Sequence, residues 1–265
     1  MAEPIAVFSR PQPYINKVAI DRPWHWLADG WYDMWATPLI SLSYGLVLAA
    51  VGWAAFAMLL LFDLPYLVLP LSAGFFFIGP FIAVGLYEIS RRLEEGFATN
   101  PRDAVFAYRR NPTQIALMGL LLLMFHLAWM RLAQLLFALF GWGAVPTWDR
   151  FIDIAWYSSR TLPFLSMGIV LGAVLAAFAF VIGAFSIPYL VDRPRSNLVE
   201  AIATSVAVVR HNPKPMLLWA CLIVFLTVLG MIPGLFGLFV TLPVVAHATW
   251  HAYDEIVRFD EGEDV

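Results

Sequence analysis

Apolar and polar positions fall in long blocks along this chain. Apolar runs cover residues 38–62, 66–86, 113–140, 164–190, 216–232 and 235–253, with few charges among them. A helix rises about 1.5 Å per residue and a bilayer core is about 30 Å thick, so each run predicts a crossing helix. Three of the crossings, those starting near Pro38, Pro112 and Pro213, follow a polar-capped amphipathic stretch that ends at the proline. In the first stretch Trp24, Leu27, Ala28, Trp31 and Trp35 recur at helical spacing, with Asp29 and Asp33 on the opposite side, as in a helix lying in the interface. The second opens with Asn100 as an N-cap, Pro101 at the first helical position and Asp103 at the third. The third opens with Asn197 and Glu200 in capping-box spacing.

This grammar predicts an all-α polytopic membrane protein of six transmembrane helices in three tandem units, each an interfacial amphipathic helix plus a helical hairpin. The units share one orientation and can surround a pseudo-threefold axis along the membrane normal. Asp63-Leu64-Pro65 and Pro233-Gly234 are the expected hairpin turns, and a short interfacial helix is expected within residues 141–163. Pro70, Gly74, Gly79 and Pro80 predict a kinked second crossing, because a helical proline frees a carbonyl that neighbours must satisfy. Gly168 and Gly172 share one face of the fourth crossing and let another helix approach closely. The expected division is a flexible cytoplasmic tail over 1–23, a six-span membrane domain over 24–256 and an acidic cytoplasmic tail over 257–265.

Composition strengthens this picture. Hydrophobic residues make up 61% and charged residues 13%, which excludes an ordinary soluble domain. The formal charge of −3 comes largely from the acidic C-terminal residues and says little about partners, while placement says more. Of the 16 Lys and Arg residues, only Arg131, Arg150 and Arg160 fall on one side of the expected topology. The positive-inside rule then places both termini and the interfacial helices in the cytoplasm, at a cytoplasmic (inner) membrane. Residues 1–23 lack the apolar core of a signal peptide. The single Cys221 allows neither a disulfide framework nor a thiolate metal cluster within one chain.

Candidate chemistry is sparse. His247 and His251, four apart, share a face of the sixth crossing and are candidate metal or haem ligands. His126, 14 residues past Pro112, lies roughly 20 Å up the third crossing and so at a different depth from that pair. The competing reading for the pair is interfacial hydrogen bonding with Trp250 and Tyr253, with alanine at both positions leaving the fold intact. Arg131 is an intramembrane arginine close enough to a helix end to snorkel, with Gln134 beside it. Glu88 can pair with Arg91 and Arg92 along its own helix or cap a cytoplasmic vestibule. The crossings otherwise lack Asp, Glu and Lys, so no buried carboxylate is expected to bind a driving proton or sodium ion. No catalytic triad order, phosphate-cradling loop or Cys-x-x-Cys is present.

The strings Gly79-Pro-Phe-Ile-Ala-Val-Gly-Leu-Tyr-Glu-Ile-Ser-Arg-Arg92 and Leu242-Pro-Val-Val-Ala-His-Ala-Thr-Trp-His-Ala-Tyr253 resemble those of an uncharacterised bacterial family of six-span integral membrane proteins, a domain-of-unknown-function family. The resemblance implies a membrane fold over residues 24–256. Some members carry a cytochrome c oxidase label, and the family supplies no catalytic residues to transfer. The outline is also similar to that of mitochondrial carriers, but their repeated proline-acid-basic signature is missing here.

The expected function is therefore non-catalytic: an accessory or scaffold subunit of a membrane complex, with respiratory complexes suggested by the family label alone. A passive channel or carrier for a small molecule or lipid is the second expectation, and a haem or metal protein the third. No cofactor and no nucleic-acid partner are expected. The expected partners are the bilayer and another integral membrane protein or complex.

Overall fold

The computed structural model describes residues 13–64, 67–140 and 157–259. In chain order these form strand β1 (Tyr14–Ile15), helices α1 (Arg22–Ala36), α2 (Pro38–Leu61), α3 (Val68–Ser72), α4 (Gly74–Ile82), α5 (Val84–Glu94) and α6 (Pro101–Phe106), and a 3-10 turn (Ala107–Arg109). Helices α7 (Pro112–Leu139), α8 (Thr161–Gly183), α9 (Ser186–Asp192), α10 (Leu198–His211), α11 (Pro213–Met231) and α12 (Leu238–Ile256) follow, then strand β2 (Val257–Arg258). The protein is an all-α polytopic membrane protein.

Four stretches are long and apolar enough to cross a bilayer: α2, α7, the continuous Thr161–Asp192 and α11. A fifth forms if residues 70–82 and α5, which meet at a 40° bend, count as one broken span. That bend falls where Gly79 and Pro80 predict a kink. The expected sixth crossing, α12, does not reach the same apolarity, because its C-terminal half carries His247, Thr249, His251, Asp254 and Glu255. It can afford those groups because it is lined by protein: α1, α2, α5 and α11 all pack against it. The interfacial helix expected within 141–163 lies largely outside the described residues.

The three proline corners share one local geometry. Thr37, Asn111 and Asn212 each precede the proline that opens a long helix, with φ/ψ of −131/55, −147/69 and −125/52. A proline disfavours the α conformation in the residue before it, so each chain leaves the preceding helix there and restarts in a new direction. All three corner residues are buried and hydrogen-bonded. Asn111 Nδ2 donates to Ser196 O at 3.0 Å. Asn212 Nδ2 donates to Asn16 O at 2.9 Å and its Oδ1 accepts from Val18 N at 2.9 Å. Thr37 Oγ1 donates to Asp33 O at 3.0 Å. The caps expected at Asn100 and Asn197 form as reciprocal capping boxes with Asp103 and Glu200.

Residues assigned from the sequence to the two tails meet each other. Tyr14 and Ile15 pair antiparallel with Arg258 and Val257, and Asn16 N donates to Ile256 O at 2.8 Å. Glu255 seals this contact, accepting from Arg22 Nη2 at 2.9 Å and Trp26 Nε1 at 2.6 Å. Its carboxylate raises the Arg22 pKa above the ordinary guanidinium value.

The core runs from Trp26 of α1 through Trp219 of α11, which meet edge to face at 5.8 Å, to Trp250 and Tyr253 of α12. Gly30 decides how closely α1 approaches α12: a Cβ there would lie 2.6 Å from Ala248 N and 2.7 Å from Val244 O, both backbone atoms. The Gly30→Ala variant is expected to be destabilised by about 1–3 kcal/mol through overpacking, read as a lower denaturation midpoint in mixed micelles. An unchanged midpoint would mean that α1 does not dock as closely as this.

Candidate functional site

Polar side chains that the sequence scatters over four elements converge beside α12. On α1, residues Pro23, Trp26, Gly30, Asp33 and Met34 are buried, whereas Trp24, Trp31 and Trp35 face outward. The side opposite the tryptophans therefore divides, with Asp29 exposed and Asp33 only 5% exposed. Asp33 lies opposite His251 of α12 and Ser90 of α5. Its Oδ2 stands 2.9 Å from His251 Nε2 and accepts from Ser90 Oγ at 2.6 Å.

His251 is held from both sides, since its Nδ1 lies 2.9 Å from Glu94 Oε1. Ionised carboxylates only accept, so this arrangement suits a ring that donates from both nitrogens. Glu94 also accepts from Trp250 Nε1 at 2.6 Å. Ser90 points its hydroxyl hydrogen at Asp33, so its oxygen accepts from His247 Nδ1 at 2.7 Å. That leaves His247 Nε2 to accept from Ser41 Oγ at 2.9 Å. Ser41 Oγ also lies 3.1 Å from Thr37 Oγ1, whose own hydrogen goes to the backbone oxygen of Asp33, so this last contact is proximity and the donated chain ends at Ser41.

His247 is fully buried at 0% exposure, and both of its nitrogens are occupied by serines. The two histidines do not converge on a common point but serve as ties between α1, α2, α5 and α12. Among the described residues no group of three or more His, Cys, Asp or Glu side chains is placed to hold a metal ion. Trp250 and Tyr253, the partners the sequence suggests, instead bond Glu94 and Asp192. Replacing both histidines with alanine would take one partner each from Ser41, Ser90, Asp33 and Glu94, so the double variant is expected to be less stable than the parent.

Glu88 anchors a second, adjoining cluster on α5. It is 4% exposed and receives Arg91 in a bidentate pair, Nε to Oε2 and Nη2 to Oε1, each at 2.8 Å. Arg110 Nε lies 3.5 Å away and Arg92 Nη1 3.9 Å away. Arg110 Nε also donates to Val191 O at 2.6 Å, tying this cluster to the end of α9. The same-helix pairing expected for Glu88 is present, and a contact from Arg110, just after the 3-10 turn, is added.

The other two candidates stand apart. His126 of α7 is buried beneath Gly74, whose missing side chain leaves room for the imidazole, and beside Phe77, with ring centres 6.2 Å apart. Among the described residues its Nδ1 has no hydrogen-bond partner. Gly74 lies sixteen residues before Ser90 on the same broken span, so the structure does not bring His126 to His247 and His251. Arg131 is exposed and pairs with Gln134 Oε1 at 3.2 Å on its own helix.

Asp33, Ser41, Ser90 and Glu94 are the site residues that the sequence pattern does not single out. The spans supply no Asp, as expected, but a carboxylate reaches the interior from the helix before the first span, and Glu88 is buried at the end of another. The signal was local: Asp33, Thr37 and Ser41 recur at four-residue spacing straight across Pro38, a polar stripe that aims at whatever packs on that side.

Fold and networks together define a multi-pass integral membrane protein in which polar side chains beside α12 tie α1, α2, α5 and α12 together. Residues 68–192 match the model of a family described as Predicted integral membrane protein (DUF2189), an uncharacterised membrane-protein family of the kind the sequence resembles. The matched region includes the first of the two strings, residues 79–92, and ends before the second. No curated protein and no solved structure matches the chain.

Proposed function

We propose that this is a non-catalytic accessory or scaffold subunit of a complex in the cytoplasmic membrane. The observation that carries this reading is the closure of the polar networks. Asp33, Glu88, Glu94, His247 and His251 spend their hydrogen-bonding capacity on other side chains of the same chain. Two cavities among the described residues, one between α4, α8, α11 and α12 and one beside Trp53 of α2, are lined by none of these five residues. A subunit of this kind needs a rigid frame and an apolar exterior. Helix α8 supplies much of that exterior, with Ile169, Val170, Val174 and Phe178 exposed along it.

Gentle extraction from the native membrane should yield the protein in a larger assembly with a distinct, stoichiometric partner, read by native electrophoresis and mass spectrometry. Recovery of the isolated chain alone would sink this reading. A respiratory partner is suggested only by the oxidase label of some family members.

The three-unit arrangement with both termini in the cytoplasm is part of the same proposal. It is supported by the common backbone geometry of Thr37, Asn111 and Asn212. It is supported also by the order of their ties: Asn111 holds the lead-in to α10 and Asn212 holds the lead-in to α1. With Cys221 replaced, single cysteines at Thr147 and Ser159 should react with a membrane-impermeant reagent in intact cells, and ones at Ser9 and Gly262 should not. The reverse pattern would overturn the orientation.

A further inference from the structure

We propose that a cavity at the centre of the helix bundle holds the end of an acyl chain from a bilayer lipid, entering sideways between α8 and α11. The inference goes beyond the subunit reading and does not rest on it. The space, about 100 Å³, is bounded by α4, α5, α7, α8, α11 and α12. Its walls are apolar apart from Tyr87, Thr227 and Thr249. The Thr249 hydroxyl is spent on Val245 O at 2.7 Å, within its own helix. Tyr87 and Thr227 add a hydroxyl each, and the remaining wall is hydrocarbon, so most of this space suits an apolar occupant better than a cluster of waters.

Size selects the ligand further. An apolar cavity of about 150 Å³ accepts a benzene ring and stays dry when empty. The present one is smaller, and it suits a narrow, flexible chain end better than a ring-bearing headgroup. No Lys, Arg or His lines it, so nothing within it would hold a phosphate. Gly79 extends the space: a Cβ built at this position meets nothing within 4 Å. The bend that follows at Pro80 keeps α4 and α5 from closing over it.

The way in lies on the lipid-facing side. Helix α8 packs on α7, α4 and α10, and α11 packs on α12 and α10, while α8 and α11 share no extended contact. Phe180 of α8 and Ile223 and Thr227 of α11 all line the cavity and are partly exposed. Just outside, Phe178 on α8 and Val224 and Phe225 on α11 are exposed along two helices apolar enough to cross a bilayer. Lipid chains lie against that surface, and the gap leads from it to the cavity.

The test uses the full chain in phosphatidylcholine vesicles containing a phospholipid with a diazirine at the end of one acyl chain. After irradiation, adducts are mapped by peptide mass spectrometry. The expected pattern has inward adducts at Gly79, Ala83, Ile223 or Thr227 beside outward ones at Val174 and Phe178. The variants Gly79→Leu and, separately, Ala246→Leu should lower the inward adducts at least about tenfold by removing the space and its contacts, leaving the outward ones unchanged. A probe of equal chain length ending in a benzophenone should label only outward positions. Inward adducts missing from the wild-type protein would overturn the proposal whether or not the variants fold. So would inward adducts that persist in both filled variants, or inward labelling by the benzophenone probe.

Discussion

The Asp33→Ala variant is expected to lose about 3–5 kcal/mol of stability, because it removes one of the two carboxylates that hold the partly buried His251 and leaves Glu94 alone on the far nitrogen. Two groups are orphaned at once: His251 Nε2, 2.9 Å from the lost carboxylate, and Ser90 Oγ, at 2.6 Å. Ser90 can then turn its proton elsewhere, and the tautomer it fixes on His247 is lost with it. The shift in the denaturation midpoint in mixed micelles measures the effect. Asp29→Ala, on the exposed side of the same helix, should stay within about 0.5 kcal/mol of the parent and serves as the reference. Combining Asp33→Ala with His251→Ala should cost less than the sum of the two, since both act through one contact. Equal, small effects at Asp29 and Asp33 would mean that the network does not hold α1 on α12.

At Glu88 the second large effect is expected, again about 3–5 kcal/mol for Glu88→Ala, with Glu88→Gln falling between it and the parent. Arg91 loses a bidentate partner in a setting where its side chain is only 11% exposed, and Glu95, at 43%, remains as its other carboxylate. Arg110 keeps its bond to Val191 O, so the link from this turn to α9 should survive. The loss should therefore fall on α5 more than on α9. Hydrogen exchange that rises in residues 84–94 more than in residues 186–192 would bear this out. A uniform rise over both segments would instead show that Glu88 holds the two together.

Much of the frame was legible because it depends on local physics. A proline fixes its own φ and restrains the residue before it, so Pro38, Pro112 and Pro213 mark helix corners in any context. Asn100 and Asn197 cap helices whose first turns they precede by one residue, and the hydrogen bonds concerned span three positions or fewer. Apolar runs of sufficient length report the bilayer as a solvent, which identified α2, α7, α8 and α11 without knowledge of their neighbours. The kink near Pro80 was legible for the same reason.

Other features were settled only by which helices meet. Hydropathy cannot distinguish a helix that faces lipid from one surrounded by protein, and α12 carries two histidines and two acids because α1, α2, α5 and α11 cover it. Periodicity gave α1 a polar side but could not say that Gly30 on that side would let α12 come close enough to bury Asp33 and leave Asp29 outside. His247 and His251 look alike at i and i+4, yet one meets two serines and the other two carboxylates, because those partners lie 157 to 218 residues away from the histidines along the chain. By itself the sequence determined where helices begin, bend and turn, since those choices are made within a few residues. The tertiary structure alone decided which polar groups are buried and with whom, since desolvation and hydrogen bonding depend on neighbours that only folding brings near.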